Sequence, residues 1–256
     1  MPENRTNYTK GTKSHFIRRK AAQNVFNAAD FALHLGKPLN LYVVINLIGA
    51  PKYNHKKVLG EIMQRYRRWN DYRNKKFRTE KSPPYWVYTI ENNLGNNPHA
   101  NWIVRIPDGC IEDFELKVYE WCRKVLGYYS KKDIYITHVN MKAYKQPFNY
   151  ILKGVDPHYV KRFHLRKFYK GPQGVVYGCR ARVSTALSPT ARRKANFNAT
   201  EFRHRKMEQL TDVGVVVSGT KLKPKTTYKK AYCRAPKSQR YYSRHFKRAD
   251  IAKTTE

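Results

Sequence analysis

Residues 85–106, YWVYTIENNLGNNPHANWIVRI, carry the pattern that decides the fold of this chain. Two runs rich in β-branched and aromatic residues, 85–91 and 100–106, flank a loop that contains Gly95, Asn96 and Asn97. Runs of this composition favour β-strands, and clustered glycine and asparagine favour a turn between them. The stretch therefore predicts two antiparallel strands joined as a hairpin.

Outward from this hairpin, strand-like and helix-like patterns alternate along the chain. Apolar β-branched runs predict strands over 41–47 and 133–139. Apolar residues at helical spacing predict helices over 13–35, 55–77 and 111–126, and a shorter helix over 146–153. From residue 41 on, the order is β-α-β-β-α-β-α. It predicts an α+β fold, a split βαβ antiparallel sheet of the ferredoxin or RRM kind, with helices on one face. The other face is left open for the last helix or a ligand.

Side chains alternate across each strand, so the predicted hairpin has an apolar face and a polar face. Trp102 and the apolar residues two positions before and after it are expected to pack against the helices. His99 and Asn101 then lie on the open face, and Glu91 on the preceding strand joins them. Two of these three groups are oxygen donors, a set that suits Mg²⁺ or Mn²⁺ better than zinc. All four tryptophans are predicted to be core residues: Trp69, Trp86, Trp102 and Trp121.

The charge of the chain points to a polyanionic partner. It has 52 Lys and Arg against 18 Asp and Glu, a net charge of +34, which concentrates nucleic acid near the surface. An anionic membrane is the second candidate, but no apolar run reaches the ~18 residues needed to span a bilayer. Residues 1–20 lack the apolar stretch of a secretory signal, and the four cysteines are scattered without zinc-ligand spacing. We therefore expect a cytoplasmic protein that does not use a membrane.

Basic residues are dense in the last third of the chain, where two clusters are predicted to contact phosphates. The clusters consist of Arg192, Arg193 and Lys194, and of Arg203, Arg205 and Lys206. The predicted organisation is an N-terminal basic segment with a helix (1–38), a central domain (39–156), a basic accessory segment (157–212) and a flexible basic tail (213–256).

Two short motifs in the central domain resemble those of a known family. Residues 97–104, NPHANWIV, resemble the metal motif of HUH-type replication initiators and relaxases, in which two histidines alternate with a hydrophobic residue. Residues 149–154, NYILKG, resemble their Tyr-x-x-Lys motif, which lies on a helix. Glu91 stands where related initiators often carry an acidic metal ligand. The chain departs from the pattern at Asn101, which replaces the second histidine.

The resemblance covers about residues 41–155 and implies a single-tyrosine DNA endonuclease and strand transferase. Glu91, His99 and Asn101 would hold Mg²⁺ or Mn²⁺, Tyr150 would form a 5′-phosphotyrosine linkage, and Lys153 would assist it. The implied role is to start rolling-circle replication of a bacterial plasmid or phage. The implied partners are single-stranded or hairpin DNA at an origin, with a host helicase or polymerase beside it.

Other interpretations remain open at the sequence level. Charge alone also fits a non-catalytic RNA- or DNA-binding protein, ribosome-associated or involved in packaging. A relative of the initiators that binds DNA without cleaving it would carry a substitution such as Asn101. His138 either faces the metal or satisfies a strand edge. Tyr144 is interpreted as a surface aromatic, and His55 and His158 as solvated.

Overall fold

The computed structural model describes residues 13–48, 55–76, 82–93, 97–127, 130 and 132–204. All of these described residues belong to one compact unit. The predicted basic tail (213–256) lies outside the described residues, as do Arg205 and Lys206 of the second basic cluster.

The described chain alternates helices and strands in the predicted order, and the α+β class is confirmed. The N-terminal half contains β1 (Lys13–Ser14), α1 (Arg19–His34), β2 (Leu41–Asn46), α2 (His55–Lys76), β3 (Trp86–Asn93), β4 (Asn97–Val104) and α3 (Ile111–Leu126). The C-terminal half contains β5 (Ile134–His138), α4 (Lys145–Ile151), β6 (Val176–Tyr177), β7 (Ala181–Val183) and α5 (Pro189–Lys194).

Five strands form one antiparallel sheet in the order β5-β2-β4-β3-β7. The first four follow the split βαβ arrangement. In the predicted hairpin, Glu91 is paired with His99 and Thr89 with Asn101, so these four side chains share one face. β7 extends the sheet beyond β3 and comes from the segment that the sequence sets apart as accessory. That segment is therefore part of the same sheet.

One face of the sheet packs against α2 and α3, as the alternation along β4 predicts. Trp102 is fully buried there, with its ring centroid 5.2 Å from that of Tyr66 and 5.5 Å from that of Phe114. Edge-on aromatic pairs at this spacing add to the stability that burial itself provides. The four tryptophans predicted to be core residues all belong to this cluster: Trp69, Trp86, Trp102 and Trp121.

The opposite face, which the sequence leaves open, is covered along much of its length. Val87 and Ile103 point from β3 and β4 into a second apolar cluster, and both are fully buried. α1 contributes small buried side chains such as Ala28 and Ala32 to the same cluster, and small side chains let a helix approach a sheet closely. α4 joins the same cluster through Phe148. The sheet therefore lies between two helical layers.

The chain that leaves α4 is fixed by backbone hydrogen bonds on both sides. Ile17 forms a parallel bridge with Val155, and its amide donates to the Gly154 carbonyl at 2.9 Å. The amide of Lys170 donates to the Lys153 carbonyl at 3.2 Å, which closes the loop 154–169 at its base. These bonds hold the end of α4 against the N-terminal segment.

A buried guanidinium group organises the same region from within. Arg180 donates to the carbonyl oxygens of Ser14, Gln173 and Gly174, and thereby joins the N-terminal segment to the chain before β7. Burial lowers the pKa of Arg180 to about 10, opposed by the negative charge of Glu91. Arg180 is thus a structural cation close to the sheet face that carries Glu91.

Candidate active site

The candidate site lies where the hairpin end of β3 and β4 meets α4. Glu91 on β3 and His99 on β4 are cross-strand partners, so their side chains are neighbours on the face covered by α1 and α4. α4 is anchored by the buried residues Phe148 and Ile151. The Lys153 amide donates to the Tyr150 carbonyl at 3.1 Å, so the last turn brings both side chains of the Tyr-x-x-Lys motif to the hairpin.

Glu91 is the centre of the site. Its Oε2 lies 2.8 Å from His99 Nε2 and 2.8 Å from Lys153 Nζ. Glu91 is 1% exposed, and an ionised carboxylate at such a position requires charged partners. Burial alone would lower the pKa of Lys153, but the charge of Glu91 and hydrogen bonds to Glu91 and Tyr150 raise it instead. Contact with Glu91 therefore stabilises the ammonium form of Lys153.

Tyr150 is the most accessible member of the cluster, with 43% of its surface exposed. The Lys153 ammonium lies 4.1 Å from the centroid of the Tyr150 ring, within the range of a cation–π contact. The ring also meets Tyr42 edge-on at 6.4 Å. The phenol is thus held by two neighbours while it remains reachable by a large substrate.

Asn101 occupies a buried position on the same face and is bound by a tyrosine that the sequence does not single out. The Tyr42 hydroxyl donates to Asn101 Oδ1. Burial, followed by the charges of Tyr150 and Glu91, raises the pKa of Tyr42, which keeps this hydroxyl protonated as a donor. Asn101 is 1% exposed, so its side-chain oxygen is committed to Tyr42 and its Nδ2 faces a dry interior.

Buried polar atoms on this face test whether a divalent cation would fit. Glu91 Oε1, Thr89 Oγ1 and Asn101 Nδ2 have no hydrogen-bond partner within the part of the chain that the structure describes. Buried polar atoms without a partner are rare and need an explanation such as a bound water or ion, and of these three only the two oxygens could contact a cation. A carboxylate oxygen and the His99 imidazole suit Mg²⁺ or Mn²⁺, which complete their coordination with water and substrate oxygens. Within the described residues, no three His, Cys, Asp or Glu side chains are grouped so that they could hold a metal ion among themselves.

The structure brings together all five residues predicted from the two motifs: Glu91, His99, Asn101, Tyr150 and Lys153. They come from β3, β4 and the α4 turn, and direct contacts run from His99 to Glu91, from Glu91 to Lys153, and from Lys153 to Tyr150. Asn101 is linked to them through Tyr42 and Tyr150. The alternation of side chains along β2 could have identified Tyr42. Once β2 is paired with β4, Tyr42 lies opposite Ile103, on the face of the sheet that carries His99 and Asn101.

The basic clusters divide into structural and exposed members. Arg192 is buried and donates to Leu187 O at 3.0 Å and Asn24 Oδ1 at 2.6 Å, which ties α5 to α1. Arg203 pairs with Asp30 at 2.6 Å. These two side chains act within the fold instead of reaching for phosphate, because each has a polar partner on α1. Arg193 and Lys194 are exposed, and their contact with phosphate remains a prediction.

The structure also decides the interpretations of four other residues, three by burial and His138 by strand pairing. Tyr144 is buried and not a surface aromatic, because its hydroxyl accepts from Leu39 N at 3.2 Å beneath α1. His55 is also buried, which lowers its pKa, whereas His158 is exposed as expected. His138 is paired with Leu41, whose side chain points to the α2 and α3 layer, so it lies on the face opposite His99.

Comparison with known proteins adds no relative to these observations. No protein-family model matches the chain, and no curated protein matches its sequence. Among the described residues, none of the helices combines the length and the apolar character that crossing a bilayer requires.

Proposed function

We propose that the protein nicks and rejoins single-stranded DNA through Tyr150 and thereby starts rolling-circle replication of a plasmid or phage. The observation that carries the proposal is the convergence of Tyr150, Lys153, Glu91 and His99 at one end of the sheet. These residues span 63 positions of the chain, from 91 to 153, and no local pattern brings them together. The charge of +34 favours a nucleic acid as the substrate, and single-stranded or hairpin DNA is what the resemblance to HUH-type initiators implies.

In the proposed reaction, the phenol oxygen of Tyr150 attacks the scissile phosphorus and loses its proton. The new bond joins Tyr150 to the 5′ phosphate, the bond from phosphorus to the 3′ oxygen breaks, and that oxygen leaves with a proton as a 3′-hydroxyl. Attack by the 3′-hydroxyl in the reverse direction rejoins the strand. Lys153 faces the ring of Tyr150 and offers positive charge to the phenolate and to the phosphate oxygens.

Glu91 and His99 are the residues that would hold a divalent cation, and Glu91 Oε1 is the buried oxygen available to it. A bound Mg²⁺ or Mn²⁺ would polarise the scissile phosphate and neutralise charge that develops on its oxygens. Within the fold, Lys153 already pairs with the other carboxylate oxygen, Glu91 Oε2, at 2.8 Å. Asn101 is a weaker ligand candidate than the histidine it replaces, because Tyr42 engages its oxygen.

The test is formation of a covalent protein–DNA adduct. The full-length protein is incubated with a labelled library of single-stranded oligonucleotides and Mn²⁺, and denaturing electrophoresis detects a protein band that retains the label. We expect an adduct with the unmodified protein and none with Tyr150→Phe. Tyr144→Phe is the matched control, because that tyrosine is buried six residues earlier and should leave the adduct intact.

A second outcome would favour the non-catalytic alternatives. Salt-sensitive binding of the same oligonucleotides without any adduct, in Mg²⁺ and in Mn²⁺, would mean that the chain binds nucleic acid without cleaving it. The Tyr42–Asn101 hydrogen bond is the structural feature that favours such a cleavage-deficient relative.

A further inference from the structure

A groove beside the tyrosine helix has the composition of a nucleotide-binding site. It lies between α1, α4 and the loop 154–169, and its volume is about 470 Å³. Phe26, Phe148 and Phe163 form its apolar floor, with the rings of Phe26 and Phe163 5.7 Å apart. Phe26 and Phe163 are only partly buried, so their ring surfaces are accessible from the groove.

The rim of the groove is cationic. Arg162 and Lys145 are exposed and have no ion-pair partner within the described ranges. The carboxylate at the rim, Asp30, is already bound by Arg203 at 2.6 Å and adds little negative potential. Arg162 also lines two adjoining concave sites of about 270 and 950 Å³, which carry further Lys and Arg side chains. The groove is therefore one part of a longer positively charged trough.

Amide side chains complete the lining. Gln23 and Asn149 reach the groove from α1 and α4, and amides recognise the hydrogen-bonding edges of bases. Asn149 immediately precedes Tyr150, so the groove lies on the side of α4 adjacent to the one that carries the phenol. The groove and Tyr150 therefore share α4, so that one strand is able to contact both.

We propose that this groove binds one unstacked base of single-stranded DNA beside the scissile phosphate, with Arg162 and Lys145 on the flanking phosphates. The aromatic floor stacks on the base. Only a single strand can present a base in this way, because the bases of a duplex are stacked on each other. The mixture of an aromatic floor and a cationic rim matches a nucleotide better than it matches an acidic peptide, which offers charge without a flat ring. The inference rests on the proposed function for the position of the strand at Tyr150.

Binding is measured without cleavage, so that this inference can fail separately from the proposed function. The full-length protein carries Tyr150→Phe and is kept in chelator, and fluorescence anisotropy follows a 12-nucleotide oligodeoxythymidine and an abasic strand of equal length. We expect Arg162→Glu to weaken binding of both strands about tenfold or more, because it removes one phosphate contact and adds a repulsive charge. Arg68→Glu, an exposed reversal on α2 across the sheet, should change binding less than threefold.

The aromatic floor is tested by the preference for bases. The parent protein should bind the oligodeoxythymidine at least fivefold more tightly than the abasic strand, since stacking on an aromatic side chain contributes about this much per base. Phe163→Leu, with folding checked by thermal unfolding, should reduce that preference. An Arg162→Glu variant that binds as well as Arg68→Glu would overturn the inference, as would an unchanged base preference in Phe163→Leu. Neither result depends on whether the protein cleaves DNA.

Discussion

The ammonium group of Lys153 lies 2.8 Å from Oε2 of Glu91, and this buried ion pair joins the end of the tyrosine helix to the central hairpin. Only 7% of the Lys153 side chain and 2% of the Glu91 side chain are exposed. A charge pair so far from water is stable because each member compensates the other, and the loss of one member leaves the other uncompensated.

Replacement of either member of this pair should therefore destabilise the protein. We expect Glu91→Gln and Lys153→Met each to lower the free energy of unfolding by about 3 kcal/mol. The double variant should lose at least ~1 kcal/mol less than the sum of the two, because it leaves no isolated charge. Urea unfolding of the four proteins measures the coupling. Additive losses would show that the two groups do not interact in solution.

Asn101→His restores the alternating histidines of the metal motif and tests the role of this position. The half-maximal Mn²⁺ concentration for adduct formation should fall by about tenfold, the size of effect that metal-site substitutions commonly produce. Asn101→Gln, which retains an amide, is the control. If the metal requirement of the histidine variant equals that of the parent, residue 101 is not a ligand.

Gly174 lies where the chain approaches β3 too closely for any other residue. Its φ is +67°, and an added Cβ would lie 1.4 Å from the carbonyl oxygen of Asn92. Gly174→Ala should cost more than about 3 kcal/mol, because both backbone strain and a steric clash oppose it. Gly171→Ala has a similar φ of +74° but no atom within 4 Å, and should cost only about 1–2 kcal/mol. Thermal unfolding compares the two, and equal losses would contradict the close approach.

Arg192 and Arg193 are neighbours in sequence with different roles. Arg192→Gln should destabilise the fold by about 2 kcal/mol, because it removes the hydrogen bonds to Leu187 and Asn24. Arg193→Gln should change stability by less than about 0.5 kcal/mol, since the side chain is exposed. Denaturant unfolding distinguishes them. If Arg193 contacts phosphate, Arg193→Gln should also weaken oligonucleotide binding at low salt. A stability loss in Arg193→Gln equal to that in Arg192→Gln would refute the different roles of the two residues.

Buried tyrosines predict a loss of stability at alkaline pH. Burial raises the pKa of Tyr66 above its ordinary value of 10, opposed by the charge of Arg73. Above pH 10 the unfolded chain loses the Tyr66 proton while the folded protein keeps it, so the unfolded state becomes favoured as pH rises. Unfolding free energies between pH 8 and 11.5 should fall more steeply for the parent than for Tyr66→Phe. Parallel curves would mean that Tyr66 does not contribute to alkaline unfolding.

Much of the fold follows from local patterns in the sequence. The helical stripe over 111–126 coincides with α3, and the runs of β-branched residues locate β2, β3, β4 and β5 to within three residues. Alternation along the hairpin also places Glu91 and His99 on one face. These features are predictable because each depends on residues close together in the chain.

Features that depend on distant contacts could not be predicted in the same way. β7 has three residues and no distinctive pattern, and it exists because the free edge of β3 is available to it. α1 was predicted as a helix, but its position on the second face requires Val87 and Ile103, which are more than 50 residues away. Charge density predicted that Arg192 contacts phosphate, whereas a six-residue helix turns it inward to Asn24.

The bridge between Ile17 and Val155 has a practical consequence for any attempt to shorten the protein. A fragment that starts at residue 39 would lose α1, the bridge to the end of α4 and one of the carbonyl groups that Arg180 engages. A fragment that stops at residue 156 would lose β7 and the guanidinium group itself. The smallest portion expected to retain an ordered tyrosine helix therefore extends from about residue 13 to residue 204, well beyond the stretch that carries the two motifs.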